Sequence, residues 1–255
     1  MPSVLDQFRL DGRVAIVTGA SRGLGASMAG ALAAAGADLV LVARGDTSAA
    51  AAAVAAAGRR SISVEADVSE KGAAPRIVDL AEASFSGADI LVNNAGIIRR
   101  APFLEFTEQD WRDVLDVNLD AAFRLSQEFA RRIVARKASG KIIHVASMLS
   151  FQGGLRVASY TASKSALHGL TKLMANELAG LRINVNAIAP GYMATDNTEA
   201  LRMDPARNQA ILDRIPAGRW GSPGDLDGAV VFLSSSASDY MHGHTLAVDG
   251  GWLAR

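Results

Sequence analysis

Apolar residues fall along this chain in short, nearly unbroken runs, set between longer stretches where alanine and leucine recur every three or four positions. The short runs are VAIVTG (14–19), LVLVA (39–43), ISVEA (62–66), ILVNN (90–94), KIIHVAS (141–147), RINVNAI (182–188) and HTLAVDG (244–250). Continuous apolar character, in place of alternation, marks strands covered on both faces. Helical spacing occupies 24–35, 47–57, 107–136 and 159–179, and Thr107-x-x-Asp110 has the form of a capping box at the start of the third. The alanine-rich stretch 49–58, bounded by Asp46 and Arg59, reads as a surface helix on the sheet. No linker rich in Pro, Ser and Gly divides the chain. Strand and helix alternate throughout, which predicts one α/β domain over 1–255: a doubly wound sheet of about seven parallel strands with helices on both faces. Ligands of such sheets bind beyond the carboxyl ends of the strands.

Composition narrows the possibilities. With 49% apolar residues in 255, the chain can bury a large core, and 26 basic residues against 26 acidic ones give no electrostatic case for nucleic acid. The absence of cysteine removes disulfides, thiolate metal sites and cysteine nucleophiles, and suits a cytoplasmic protein. MPSVLDQFRLDGR carries charges where a signal peptide needs an apolar stretch, and no run is long enough to cross a bilayer, so a soluble intracellular protein is expected. His242 and His244 have no partner at metal-ligand spacing, and no metal is expected. His144, inside a strand, reads as core. Trp111, Phe123 and Phe129 read as a buried helix face, and Arg131, Arg132, Arg136 and Lys137 as a solvated helix end.

Two stretches carry candidate chemistry. TGASRGLG (18–25) follows the first strand and opens a helix. Its Gly19, Gly23 and Gly25 permit a tight turn and let backbone N–H groups approach a pyrophosphate, as in Rossmann-type dinucleotide sites. Asp67, after the third strand, either accepts from an adenine amino group or is an ordinary turn aspartate. In SYTASK (159–164), Tyr160 and Lys164 stand one helical turn apart and share a face. A nearby ammonium lowers a phenol's pKa from its usual value of about 10, so Tyr160 can exchange a proton with an alcohol or a carbonyl. On spacing alone, a packed aromatic beside a solvated lysine is the commoner explanation.

TGASRGLG, NNAG (93–96), Asn118 in DVNLD, Ser147 thirteen residues before Tyr160, Lys164 and PGYMAT (190–195) occur in one order. With them, essentially the whole chain resembles the short-chain dehydrogenase/reductase family. The resemblance implies that Tyr160 donates and accepts the proton, that Lys164 holds the nicotinamide ribose and depresses the tyrosine pKa, and that Ser147 hydrogen-bonds the substrate oxygen. It gives Asn118, placed where a helix is expected although asparagine is a poor helix former, a water-mediated relay to Lys164. It implies an NAD(P)(H) cofactor held by Gly19, Ser21, Arg22, Gly23, Leu24, Gly25, Arg44, Asp67, Val68, Asn94, Ala95, Gly96, Tyr160, Lys164, Pro190, Gly191 and Thr195, with Asn93 beside them.

Within that resemblance, Ala43 stands where NAD-using relatives usually carry an acid, and Arg44 follows it. With Arg22, this chemistry leans to NADP(H), whereas the branch it looks most like leans to NAD(H). NNAGIIRR, VASMLSFQGGLRVASYTASKS and AVDGGWLAR look most like the branch that interconverts a secondary hydroxyl and a ketone on a deoxy keto sugar acid. Rival readings are a family member acting on gluconate or on a 3-oxoacyl-carrier protein, and a dinucleotide-sensing module without turnover. A sugar acid needs a cationic or hydrogen-bonding clamp for its carboxylate. Arg100 is one candidate; Arg156, with Gln152 and Met148 in the loop between Ser147 and Tyr160, is preferred. Family members are commonly tetramers joined through helices corresponding to 107–136 and 159–179, which implies a homotetramer here.

Overall fold

The computed structural model describes residues 3–255, so Met1 and Pro2 of the amino-terminal stretch lie outside the described residues. Seven strands form one sheet: β1 (Val14–Thr18), β2 (Asp38–Ala43), β3 (Ser61–Glu65), β4 (Ile90–Asn93), β5 (Gly140–Val145), β6 (Ile183–Pro190) and β7 (Thr245–Val248). Their order is β3-β2-β1-β4-β5-β6-β7, and every pairing is parallel. The helices are α1 (Gly23–Ala34), α2 (Ser48–Ala56), α3 (Ala73–Phe85), α4 (Glu108–Leu115), α5 (Ala121–Ala135), α6 (Ala158–Leu178), α7 (Glu199–Met203), α8 (Pro205–Leu212) and α9 (Asp227–Ser234). None of the described helices is long and apolar enough to cross a membrane.

The unbroken apolar runs have a direct cause in the layering. Successive side chains of a strand point to opposite faces. Ala15 and Val17 of β1 and Leu39 and Leu41 of β2 enter one core layer with Met28 and Leu32 of α1, Val54 of α2 and Val230 of α9. Ile16, Val40 and Val42 enter the other with Ile77 of α3, Phe129 and Ile133 of α5 and Met174 of α6. With both layers dry, neither set of positions can be polar. His144 of β5 is fully buried as expected, with Nδ1 2.9 Å from Thr171 Oγ1 and Nε2 3.3 Å from Ser126 Oγ. Burial pushes it down to about 3, so it is neutral. The strand order reverses between β1 and β4, which opens a crevice at their carboxyl ends.

Three expectations need correction. The helix expected over 107–136 is not continuous: Thr107 caps α4, its hydroxyl accepting from Asp110 N at 3.1 Å, but the backbone widens into a π-turn at Asp116–Asp120 before α5 begins. Phe129 is buried, yet Phe123 is 45% exposed. Six residues at about 100° each put the two rings on different sides of the helix. Arg132 and Arg136 are not a solvated end. Arg132 pairs with Glu82 and Asp79 of α3 and with Glu128, while Arg136 donates to the carbonyls of Ser86 and Ala88. Two of the acids that face Arg132, Asp79 and Glu82, lie on a different helix, some fifty residues earlier in sequence.

Candidate active site

The site is built where β1, β4, β5 and β6 end. The chain leaves β1 through Gly19, whose φ of +66° favours glycine, and enters α1 at Gly23. A Cβ on Gly25 would lie 2.1 Å from the Gly19 carbonyl oxygen and 2.5 Å from Asn94 Nδ2, so only glycine lets the first turn of α1 sit against the loop. Thr18 Oγ1 accepts from the backbone N–H groups of Asn94 and Ala95, both at 3.0 Å. Asn94 Nδ2 in turn donates to the Thr18 and Gly19 carbonyls, at 2.9 and 3.2 Å. The two motifs, far apart in sequence, thus brace each other as one cradle. Gly25→Ala is expected to weaken dinucleotide binding by roughly 100-fold and to lower thermal stability, because backbone cannot yield as a flexible side chain would. Fluorescence titration with NADPH and a thermal melt check this; wild-type affinity would contradict the cradle.

A cleft of about 600 Å³ runs over this cradle. Its wall holds Gly19, Ser21, Arg22, Gly23, Leu24 and Gly25 from the first loop, and Arg44, Asp67 and Val68 beyond β2 and β3. Asn94, Ala95 and Gly96 line it beyond β4, Ser147, Tyr160 and Lys164 beyond β5 and on α6, and Pro190, Gly191 and Thr195 beyond β6. Glycines at a helix start, leading to buried polar groups, fit a dinucleotide. Ile97, Val117 and Met193 also line the cleft and were not singled out from the sequence. Their only signal was position, each one or two residues from a motif residue. Asn93 is turned away: it is buried and donates to Ser126 Oγ at 2.9 Å.

Charge in the cleft is partly held within it. Arg44 Nη1 is 3.5 Å from Asp67 Oδ2, and Asp67 also accepts from Ser69 N and Oγ. Asp67 thus serves its turn and pairs with Arg44 while still facing the cleft. Arg22 pairs with Asp196 at 2.8 Å across the opening.

At the inner end, Ser147 follows β5 and its Oγ accepts from Leu149 N at 3.1 Å, which fixes the turn after the strand. Tyr160 and Lys164 share a face of α6, with Nζ 5.6 Å from the phenol ring centre. Lys164 is 4% exposed, and its Nζ donates to the Val145 carbonyl at 2.6 Å. Burial pushes this ammonium down to about 8. The Tyr160 phenol departs from expectation. Burial raises its pKa, while a hydrogen bond with Ser147 and the positive charge of Arg100 pull it back. Desolvation of the phenol is the largest influence, and it wins.

Asn118 explains the π-turn. It is 2% exposed; its Oδ1 accepts from Ile97 N at 2.8 Å, and its Nδ2 donates to Ile97 O at 3.0 Å and Ser163 Oγ at 3.3 Å. The wider turn places a poor helix former where its amide is satisfied by the strand-end loop after NNAG, and π-turns inside helices are frequent at functional sites. The Asn118 side chain is behind the cleft wall, on which its neighbour Val117 lies.

The four residues expected to meet a sugar acid do not line this cleft. Met148 is packed with Ile211, Ile215 and Trp252. Gln152 Oε1 accepts from Arg214 at 3.2 Å, and Arg100 donates to the Asn197 carbonyl at 2.9 Å. Arg156 is exposed at a φ of +64°, and its carbonyl accepts from Ala101 N at 3.1 Å.

Residues 19–253 match the family described as enoyl-(acyl carrier protein) reductase. The 2-dehydro-3-deoxy-D-gluconate 5-dehydrogenase of Escherichia coli (strain K12) is 56% identical over 252 residues, 99% of this chain and 100% of the relative. The chain is a short-chain dehydrogenase/reductase. As such it is an oxidoreductase of CH–OH groups that uses a nicotinamide dinucleotide. The enzyme of the same name from Bacillus subtilis (strain 168) is 51% identical, covering 98% of each chain. A gluconate 5-dehydrogenase from Burkholderia cenocepacia J2315, solved in complex with NADP and tartrate, superposes with a TM-score of 0.94 at 42% identity, over 99% of this chain and 100% of that one. A solved Agrobacterium tumefaciens structure with bound NADP, 55% identical, has a TM-score of 0.90 over 98% and 99%.

Proposed function

We propose that this short-chain dehydrogenase/reductase interconverts the C5 hydroxyl and ketone of 2-dehydro-3-deoxy-D-gluconate. What carries the reading is that curated relatives at 49–56% identity, aligned along nearly their whole length, share that activity. In this chain, Ser147, Tyr160 and Lys164 meet in one cleft. When bound, the nicotinamide supplies the hydride in reduction and accepts it in oxidation. Tyr160 gives its phenolic proton to the carbonyl oxygen in reduction and takes it back in oxidation. Ser147, on the same cleft wall, holds the same oxygen. Lys164 is the only ammonium on the described cleft wall, and it would hold the cofactor's ribose there. The relay at Asn118, the homotetramer and the cytoplasmic location stay with this proposal; Phe123 on α5 and Leu173 on α6 are exposed apolar residues where a subunit contact would form. Purified protein assayed with NADH and NADPH against 5-keto and 5-hydroxy sugar acids tests it. Turnover confined to gluconate, or to 3-oxoacyl thioesters, would replace it with another family activity.

The same proposal includes NADP(H). Ala43 ends β2 without an acid, and Arg44 and Arg22 both face the cleft. An arginine fork suits a 2′-phosphate. Arg44→Ala is expected to lower kcat/KM for NADPH by roughly 10- to 100-fold and to leave that for NADH nearly unchanged. A ratio of the two that does not move would remove Arg44 from cofactor choice.

A further inference from the structure

Arginines of the cleft wall and of the segments that follow the strand ends differ in their partners. Arg22, Arg44, Arg99 and Arg219 are each paired with carboxylates of this chain. Among the described residues, Arg100, Arg207 and Arg214 have no carboxylate partner, yet all three act on one phenol: their positive charges oppose the burial that raises the Tyr192 pKa. Tyr192 follows Pro190 and Gly191 of the cleft wall and lines a smaller cavity of about 150 Å³ that shares Gly191 and Met193 with the main cleft. None of the three lines either space, but cations without internal carboxylate partners that converge on a residue of the cavity wall can receive an anion from outside.

Of the three, Arg214 is the one whose fork is held by a ring face as well as by a hydrogen bond. Its guanidinium carbon lies 4.0 Å from the Trp252 ring centre, and Trp252 is buried and set edge-on against Tyr192 at 4.7 Å. One Nη donates to Gln152 Oε1 at 3.2 Å. Stacking on one face and a hydrogen bond at one corner fix the plane and leave the other N–H groups free, the geometry that takes a carboxylate in two parallel hydrogen bonds. Gln152 lies in the loop that joins Ser147 to Tyr160, so the fork is tied to the segment carrying the catalytic hydroxyls. Arg156, preferred from sequence, has neither support.

We propose that Arg214, oriented by Trp252 and Gln152, is the receptor for the substrate's carboxylate and so sets the preference for sugar acids. This rests on the sugar-acid reading above. The wild-type enzyme is assayed first with the keto sugar acid and with its neutral carboxamide, with NADPH. No turnover of either the acid or its hydroxy form would overturn the function, not merely the receptor. Given turnover, Arg214→Met is expected to raise KM for the acid by roughly 10- to 100-fold while leaving the carboxamide within about twofold. Arg214→Lys, which keeps the charge and loses the fork, should fall between. Gln152→Glu puts a carboxylate on the same fork and should raise KM for the acid with Arg214 intact. Thermal melts and the NADPH dissociation constant monitor the fold. Unchanged KM for the acid in Arg214→Met, equal losses on both substrates, or the selective loss in Arg156→Met instead would overturn the assignment.

Discussion

Tyr160→Phe should leave a folded protein that binds its dinucleotide with wild-type affinity and turns over about 100- to 10,000-fold more slowly, the range for losing a general acid or base. Only one hydroxyl is removed, and the ring stays packed on α6 beside Lys164. The pH dependence follows from the sign of the shift. Burial raises the phenol above its ordinary value and outweighs the hydrogen bond with Ser147 and the charge of Arg100. At neutral pH Tyr160 therefore holds its proton, which suits ketone reduction. Oxidation of the alcohol needs the phenolate, so its kcat/KM should climb with pH on the alkaline side, while reduction declines there. Tyr160→Phe should flatten both profiles. Arg100→Met should move the alkaline limb further up, since it removes a cation that lowers the phenol. Steady-state rates in both directions across pH check this. A Tyr160→Phe enzyme within tenfold of wild type would take the proton away from Tyr160.

The sheet was legible because both its faces are buried. Alternate residues of β1 and β2 feed opposite core layers, and that requirement writes itself as an uninterrupted apolar run. The glycine loop was legible for a related reason: Gly25 has no room for a side chain, so the constraint appears as residue identity. What could not be read depends on partners distant in the chain. The π-turn at Asp116–Asp120 exists because Asn118 bonds both backbone groups of Ile97, 21 residues earlier, and nothing local to DVNLD announces it. Arg132 looked like a helix end until Asp79 and Glu82 were brought against it. Tyr160 and Lys164 were found by their spacing, but the direction of the tyrosine's shift was misjudged, because burial is a property of everything packed around the pair. The fork at Arg214 needs Gln152, 62 residues away, and Trp252 near the chain's end.

Lys164→Met should separate function from stability. The ammonium is almost completely buried, its one recorded hydrogen bond goes to the Val145 carbonyl, and burial pulls its pKa from 10.5 down to about 8. A basic group whose pKa is lower folded than unfolded costs stability wherever it is charged in both states, here below about pH 8. Between about 8 and 10.5 the folded chain has released the proton and the unfolded chain has not, so wild-type stability rises with pH through that window, and the cost is gone above it. The size of the shift puts this cost on the order of 3 kcal/mol. Methionine fills similar volume without a charge. The variant should therefore melt above wild type at pH 7, and its advantage should shrink above pH 8 until most of it is gone at pH 10. Its kcat/KM should nevertheless fall by about 100-fold or more, because the cation beside the reacting phenol is lost. Thermal melts of both proteins from pH 6 to 10, run beside the rate assay, test the two halves separately. A variant less stable than wild type at pH 7 would mean that the bond to Val145 outweighs the cost of burial, and that Lys164 holds α6 to β5 as well as serving the reaction.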